Sequence, residues 1–169
     1  MRGENFSMLE LPVIDSFKGE YEIFSNFYPC QVEYNDIIFP TVEHAYQAAK
    51  SVDISFHYKL AGLTANYAGY AKKLGRKVEL RPEWEILKIA IMRNLITQKF
   101  SSGIFKKALL DSKGSELIEG NHWHDNFWGN CTCVKCKNIV GKNILGKLLM
   151  ELRRGYERNM VCFGSPFLS

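Results

Sequence analysis

Asp125 lies among rings: His122, Trp123, His124, Phe127 and Trp128 all fall within three residues of it. An apolar setting changes a carboxyl group's hold on its proton. Two such acids are what cleavage of a glycosidic bond requires. One stabilises a sugar cation or orients water, and the other holds a water or protonates the leaving group. Glu43, just after Pro40 in the first turn of a predicted helix, is the second acid. Taken singly, Asp125 also reads as a turn or cap aspartate, and Glu43 as a complement to the helix dipole. Trp128 precedes Gly129 in a stretch with no helical or strand pattern to bury it. A loop indole of that kind offers a stacking face for a heterocyclic base, and Gly129 lets the backbone approach a ligand closely. Asn26, in the turn-rich segment FSNFYP (24–29), has an amide for a ribose or base edge, or for an Asx turn of its own.

The same region holds Cys131, Cys133 and Cys136, a C-x-C-x-x-C run. A structural zinc site takes four ligands. The fourth could come from His122, His124, Cys30 or Cys162, and the spacing does not choose among them. The alternative is three reduced thiols in a loop. A catalytic cysteine is disfavoured, because none of the five stands at a clear helix start or strand-to-helix elbow.

The elements that must position these groups are mostly helical. Residues 11–17 read as a short strand, and CQVEY (30–34) with IIF (37–39) flank Asn35-Asp36 as a two-residue hairpin. Thr41 caps a helix through VEHAYQAAK, whose apolar stripe is Val42, Ala45, Tyr46 and Ala49. Glu43, Gln47 and Lys50 share a neighbouring face. Further helices are predicted over 54–61, over 65–74 with Gly75 as its stop, and over 83–100 after Pro82. In the last of these Trp84, Leu87, Ile91 and Leu95 form the apolar stripe, so core packing is the first role of Trp84. A short helix follows over 104–110. Residues 121–141 read as an irregular loop, a length that in a compact domain is often functional. Asn143 starts a final helix, Ile144–Arg154. The expected fold is predominantly α, one domain over residues 1–169, with a small N-terminal β element.

The chain of 169 residues is long enough to bury a real core. A net charge of +4, from 22 basic and 18 acidic residues, suits an anionic ligand without demanding a nucleic acid. There is no run of eighteen apolar residues, and no signal-peptide pattern opens the sequence. A cytoplasmic protein with reduced thiols and no membrane association is therefore expected. No G-x-G-x-x-G, G-x-x-x-x-G-K-[ST], H-E-x-x-H or G-x-S-x-G occurs, which removes support for dinucleotide redox, P-loop, zincin and serine-esterase chemistry.

Four stretches together carry a resemblance: FSNFYPCQVEYNDIIFPTVEHAYQAAK, LGRKVELRPEWEILKIAIM, DNFWG and GKNILGKLLMELR. In this order, from about Ile23 to Arg154, they resemble the NADAR (YbiA-like) family. The resemblance implies a predominantly helical fold and an N-glycosidase that hydrolyses the bond between a ribose and a nitrogen heterocycle. It implies one of two substrate classes. These are ribosylaminopyrimidine phosphates of riboflavin biosynthesis, and ADP-ribose attached to guanine bases, for which nucleic acid would be a transient partner. It implies no cofactor, and no metal for the chemistry. By motif, it assigns Glu43 and Asp125 as the acids. It places Phe24, Ser25 and Asn26, Trp84, Trp128 with Gly129, and Asn143 at the substrate. Lys50, Arg76 and Arg81 are then the cations available to phosphate, Lys50 foremost because it shares a helix face with Glu43. The Cys-rich segment between Gly129 and Gly141 departs from the shortest members and reads as a subtype. Two rivals remain. One is a non-catalytic ADP-ribose or nucleotide reader using the same pocket. The other is a zinc-stabilised nucleic-acid module, against which the modest charge argues.

Overall fold

The computed structural model describes residues 11–163. Within the expected strand at 11–17, only Val13–Ile14 (β1) is extended, and it pairs in parallel with Glu116–Leu117 (β4). Asn35 and Asp36 both adopt left-handed backbone, with φ of 55° and 59°. That is the geometry a two-residue hairpin turn requires, and these residue types tolerate it. It joins Val32–Tyr34 (β2) to Ile37–Phe39 (β3), antiparallel, with Val32 opposite Phe39. Both of those side chains are buried.

Helix α1 (Val42–Ala48) forms where the Thr41 cap predicts it, the Thr41 hydroxyl accepting from the His44 amide at 3.2 Å. Every residue of α1 is buried, not one stripe alone, because the helix lies at the centre of the molecule. Around it pack α2 (Ile54–Ala61), α3 (Ala68–Gly75) and α4 (Trp84–Lys99). The segment before α3 that the sequence joins to it is a separate 3-10 turn, Ala65–Tyr67. The helix predicted over 104–110 is α5 (Gly103–Asp111).

Two sequence expectations need correction. On α4 the buried side chains are Trp84, Met92, Leu95, Ile96 and Lys99, whereas Leu87 and Ile91 are half-buried. The stripe is displaced because two lysines occupy the inward side. Lys88 lines a cleft, and Lys99 donates to the Ser25 carbonyl at 2.7 Å. The last helix, α6, runs over Ile144–Phe163, well beyond Arg154. Gly155 keeps a negative φ and does not break it, while Arg153 anchors the middle of the helix by donating to the carbonyl and hydroxyl of Ser112.

Residues 120–131 are also more ordered than a plain loop. Gly120–Asn121 (β5) and Asn130–Cys131 (β6) pair in parallel, so residues 122–129 must cross from one end of the pair to the other. Beyond them Val134–Cys136 makes one 3-10 turn. Among the described residues no helix is long and apolar enough to cross a membrane.

Candidate active site

The crossing loop 122–129 is held on both sides. Asn121 donates from Nδ2 to the Asp125 carbonyl at 2.7 Å and accepts at Oδ1 from the amides of Trp123 and Asp125, both at 3.2 Å. The start of α6 supplies the other clamp. The amides of Lys142, Ile144, Leu145 and Asn143 donate to the carbonyls of Asn126, Phe127, Trp128 and Gly129, at 2.8 to 3.2 Å. Helix-start amides lack partners within their own helix; here the loop fulfils them. Asp125 tightens the turn by accepting from the amides of Phe127 and Trp128 at Oδ1, at 3.1 and 2.9 Å. The turn reading of Asp125 and its reading as a cleft acid are therefore both met by one side chain. Among the described residues its Oδ2 accepts no hydrogen bond and is left for the cleft that Asp125 lines.

That cleft has a volume of about 450 Å³. Glu43 and Gln47 of α1 line it, along with Lys50 just beyond the helix, so the face predicted from their spacing points inward. Gln47 donates to Glu43 Oε1 at 2.8 Å. Its position is fixed from behind by Gly75, where a Cβ would fall 2.0 Å from Gln47 Oε1. Trp84, Tyr46 and Trp128 make a continuous aromatic wall, Tyr46 lying 5.1 Å from Trp84 and 5.4 Å, edge-on, from Trp128 between ring centres. Trp84 is thus both core and cleft wall. The residue is 5% exposed yet lines the cavity. Lys72, Arg76 and Lys88 join Lys50 as cations around the opening.

Burial alters the proton affinity of two cleft acids, Glu43 and Glu119. Burial raises the pKa of Glu43, with the nearby Asp125 charge adding to the rise, while Lys72, Gln47 and Lys50 oppose it. Glu119, between β4 and β5, is a third acid that the sequence reading missed. As a residue it is only half-buried, but its Oε2 is sealed from solvent with no protein partner. Burial, then the charges of Asp125 and Glu43, push its carboxyl up to about 7. Lys50 is pulled below the ordinary lysine value by burial, against the attraction of Glu43. Asn26 Oδ1 and Gln47 Oε1 are likewise buried without a partner. Three polar atoms of cleft residues thus lack the partner that buried polar groups nearly always have.

Of the residues singled out in the sequence, Asn26, Glu43, Lys50, Arg76, Trp84, Asp125 and Trp128 line the cleft. The others stand behind it. Phe24 is buried against Phe17 and Phe100, and Ser25 receives the Lys99 ammonium on its carbonyl. Gly129 is buried where a Cβ would lie 2.1 Å from the Glu119 carbonyl. Asn143 ties α6 to β4, donating to the Leu117 carbonyl at 2.8 Å and accepting from the Glu119 amide at 3.1 Å. These four hold the cleft's frame and do not reach into it. Arg81 turns away, to the Tyr34 hydroxyl at 2.9 Å. Glu119, Lys72, Met92 and Trp123 were not foreseen. The pairing of β4 with β1 and the Asn143 and Asn130 contacts to the Glu119 backbone, which no local pattern announces, put Glu119 at the cleft.

A model of the NADAR domain matches residues 15–156, nearly the whole described chain. The chain belongs to the NADAR family. N-glycosidase YbiA of Escherichia coli (strain K12) is 30% identical over 82% of this chain and 83% of its own. N-glycosidase Npun_R5314 of Nostoc punctiforme is 36% identical over 79% and 84%. The riboflavin biosynthesis protein PYRR of Zea mays is 34% identical over 87% of this chain, but the match spans 27% of that longer protein. The solution structure of Escherichia coli YbiA superposes with a TM-score of 0.75 at 28% identity, covering 96% of this chain and 94% of that one. This NADAR protein is therefore an enzyme of the N-glycosidase kind.

Proposed function

We propose that the protein hydrolyses the bond between a phosphate-bearing ribose and a nitrogen heterocycle, with a substrate of the ribosylaminopyrimidine phosphate class. The observation that carries this reading is that Glu43 and Asp125, from distant parts of the chain, line one cleft with the Trp84–Tyr46–Trp128 wall and four cations. The base stacks on Trp128. Phosphate pairs with Lys50 and Arg76. As the C1′–N bond stretches, the ribose gains positive charge, which the carboxylates stabilise because they are already in place. One of Glu43 and Asp125 orients the attacking water, and Glu119, still holding its proton near neutrality, donates to the departing nitrogen. The water's hydroxyl ends on C1′, its proton on a carboxylate, and the base leaves neutral. A volume of about 450 Å³ is near the lower end for small-ligand sites, which suits one base, one ribose and one phosphate. The names of relatives in riboflavin biosynthesis support the same class.

A second reading rests on the rim. Trp123 is 47% exposed there, and Lys72 lies 5.5 Å from its ring. Such an edge could support the part of ADP-ribosyl guanine that would not fit inside, with an attached nucleic acid beyond it. The test is a paired incubation, with a ribosylaminopyrimidine phosphate and, separately, with guanine-ADP-ribosylated DNA, followed by chromatography of released base or ADP-ribose. Release from the first alone is expected. Release from the DNA alone selects the second reading, and saturable ADP-ribose binding without release from either would overturn hydrolysis.

Proton donation by Glu119 gives the rate a direction with pH. The acid form is needed, so kcat falls as pH rises through about 7. In Glu119→Gln that alkaline fall disappears and kcat drops by about 10²–10⁴, the usual contribution of a positioned acid. Stability follows the same sign. A carboxyl whose folded pKa lies above its ordinary 4.5 stabilises the fold below that value and ceases to as pH rises to about 7. The wild-type Tm should therefore decline across that interval relative to Glu119→Gln.

A further inference from the structure

The Cys-rich segment that follows the catalytic loop folds back onto it. The ring nitrogens and sulfurs of His124, Cys131, Cys133 and Cys136 lie within 4.8 Å of one another. His124 Nδ1 is 3.3 Å from both the Cys136 and Cys133 sulfurs. We propose that these four side chains bind one zinc ion, and that this ion fixes the loop carrying Asp125 and Trp128.

The fit is chemical and geometric. Three thiolates and one imidazole form a standard tetrahedral zinc set, with Zn–S of about 2.3 Å and Zn–N of about 2.0 Å. Those bond lengths place tetrahedral neighbours about 3.5–3.8 Å apart, and the four donors already converge to within a few tenths of an ångström to one ångström of that spacing. A set of four protein ligands is closed, leaving no open position for a water or substrate, so this is a structural centre. The surroundings suit thiolates. The His124 amide donates to the Cys131 sulfur at 3.3 Å, and the Asn126 side chain accepts from the Cys131 amide at 2.9 Å, fixing the strand that presents it. Partners of this sort orient metal ligands in known sites.

The other candidate fourth ligands are elsewhere. His122 Nδ1 faces the Thr132 hydroxyl at 3.2 Å. Cys30 precedes β2, where its amide donates to the Pro40 carbonyl. The side chain of Cys162 lies outside the described residues. A disulfide would use two of the three thiols and leave the third packed against it, whereas a metal uses all three and the imidazole together.

The consequence reaches the cleft through one residue. His124 lines the cleft, immediately precedes Asp125 and holds a left-handed φ of 68°. A non-glycine residue there is strained and persists only when its surroundings enforce it. A bond from Nδ1 to zinc is such a constraint, acting one residue from the acid. The proposal concerns the loop and does not depend on which glycoside is cleaved.

The test is metal analysis of the full chain, purified without chelator from zinc-supplemented cells. One zinc per chain is expected by mass spectrometry of the metal. Cobalt substitution should give the visible bands of a tetrahedral thiolate site. Cys133→Ser and His124→Ala should each reduce bound zinc to background, and His124→Cys should restore it. Should those variants fail to fold, the wild type answers alone. Stripping zinc with a chelator should leave helical circular dichroism in place, lower Tm and raise amide exchange at 124–136, all reversed by adding zinc. Wild-type protein without zinc, an intact mass short by two hydrogens, or full zinc occupancy in Cys133→Ser would each overturn the site.

Discussion

Replacing Glu43 by glutamine is expected to remove nearly all turnover while leaving the protein as stable as before, or more so. Glu43 is 5% exposed, and its carboxyl is held above the ordinary carboxylate range chiefly by burial. A buried acid of this kind costs the folded state free energy whenever it ionises. Glutamine has the same shape, keeps an oxygen for the Gln47 amide and removes that cost. Function should move the other way. Whichever of its two roles Glu43 plays, water activation or charge stabilisation, the amide can do neither, and a loss of about 10²–10⁴ in kcat is expected. The measurement is steady-state release of base beside a thermal melt of the same preparation. A variant that melts with the wild type and still turns over within a few-fold would remove Glu43 from the reaction.

The opposite movement of stability and rate is useful because it separates site from scaffold. Gly75 stands behind Gln47, and Asn143 and Gly129 stand behind the loop. Substitutions at these positions should lower stability and rate together, since each positions a neighbour and none lines the cleft.

The distinction also explains what was legible in the sequence. The hairpin, the Thr41 cap and the bounds of α2 follow from local chemistry and appear where it puts them. So does the common face of Glu43, Gln47 and Lys50, because helical spacing alone defines it. The stripe of α4 was misplaced by a turn's fraction because the inward face carries Lys88 and Lys99, which hydrophobic periodicity discounts. Glu119 was invisible for a related reason. It follows a two-residue strand whose partner is about a hundred residues away, so nothing near it in sequence reveals that its carboxyl is enclosed. The setting of Asn143 is equally hidden in the sequence. Its motif suggested a ligand contact, whereas its amide is spent on the backbone of Leu117 and Glu119. Of the four candidate partners for the cysteines, His124 is singled out by distance, its Nδ1 lying 3.3 Å from two of their sulfurs, which no spacing rule contains.

Asp125 permits the sharpest separation of chemistry from architecture, because its two oxygens have different tasks. Oδ1 accepts from the amides of Phe127 and Trp128 and shapes the turn that presents the indole. Asparagine keeps that oxygen and loses only the charge. Asp125→Asn should therefore melt close to the wild type and bind substrate with little change in KM. Its kcat should be lower by about 10²–10³, the effect of losing one pre-placed charge at a developing cation. Asp125→Ala loses the turn as well. Two hydrogen bonds worth about 0.5–1.5 kcal/mol each should go with it, so stability falls by about 1–3 kcal/mol in urea denaturation. KM should rise too, because Trp128 is no longer held against Tyr46. If both variants lose stability and rate in the same proportion, Asp125 is a turn residue alone. If asparagine loses rate and alanine loses rate, affinity and stability together, one carboxylate both builds the pocket wall and serves the bond being broken in front of it.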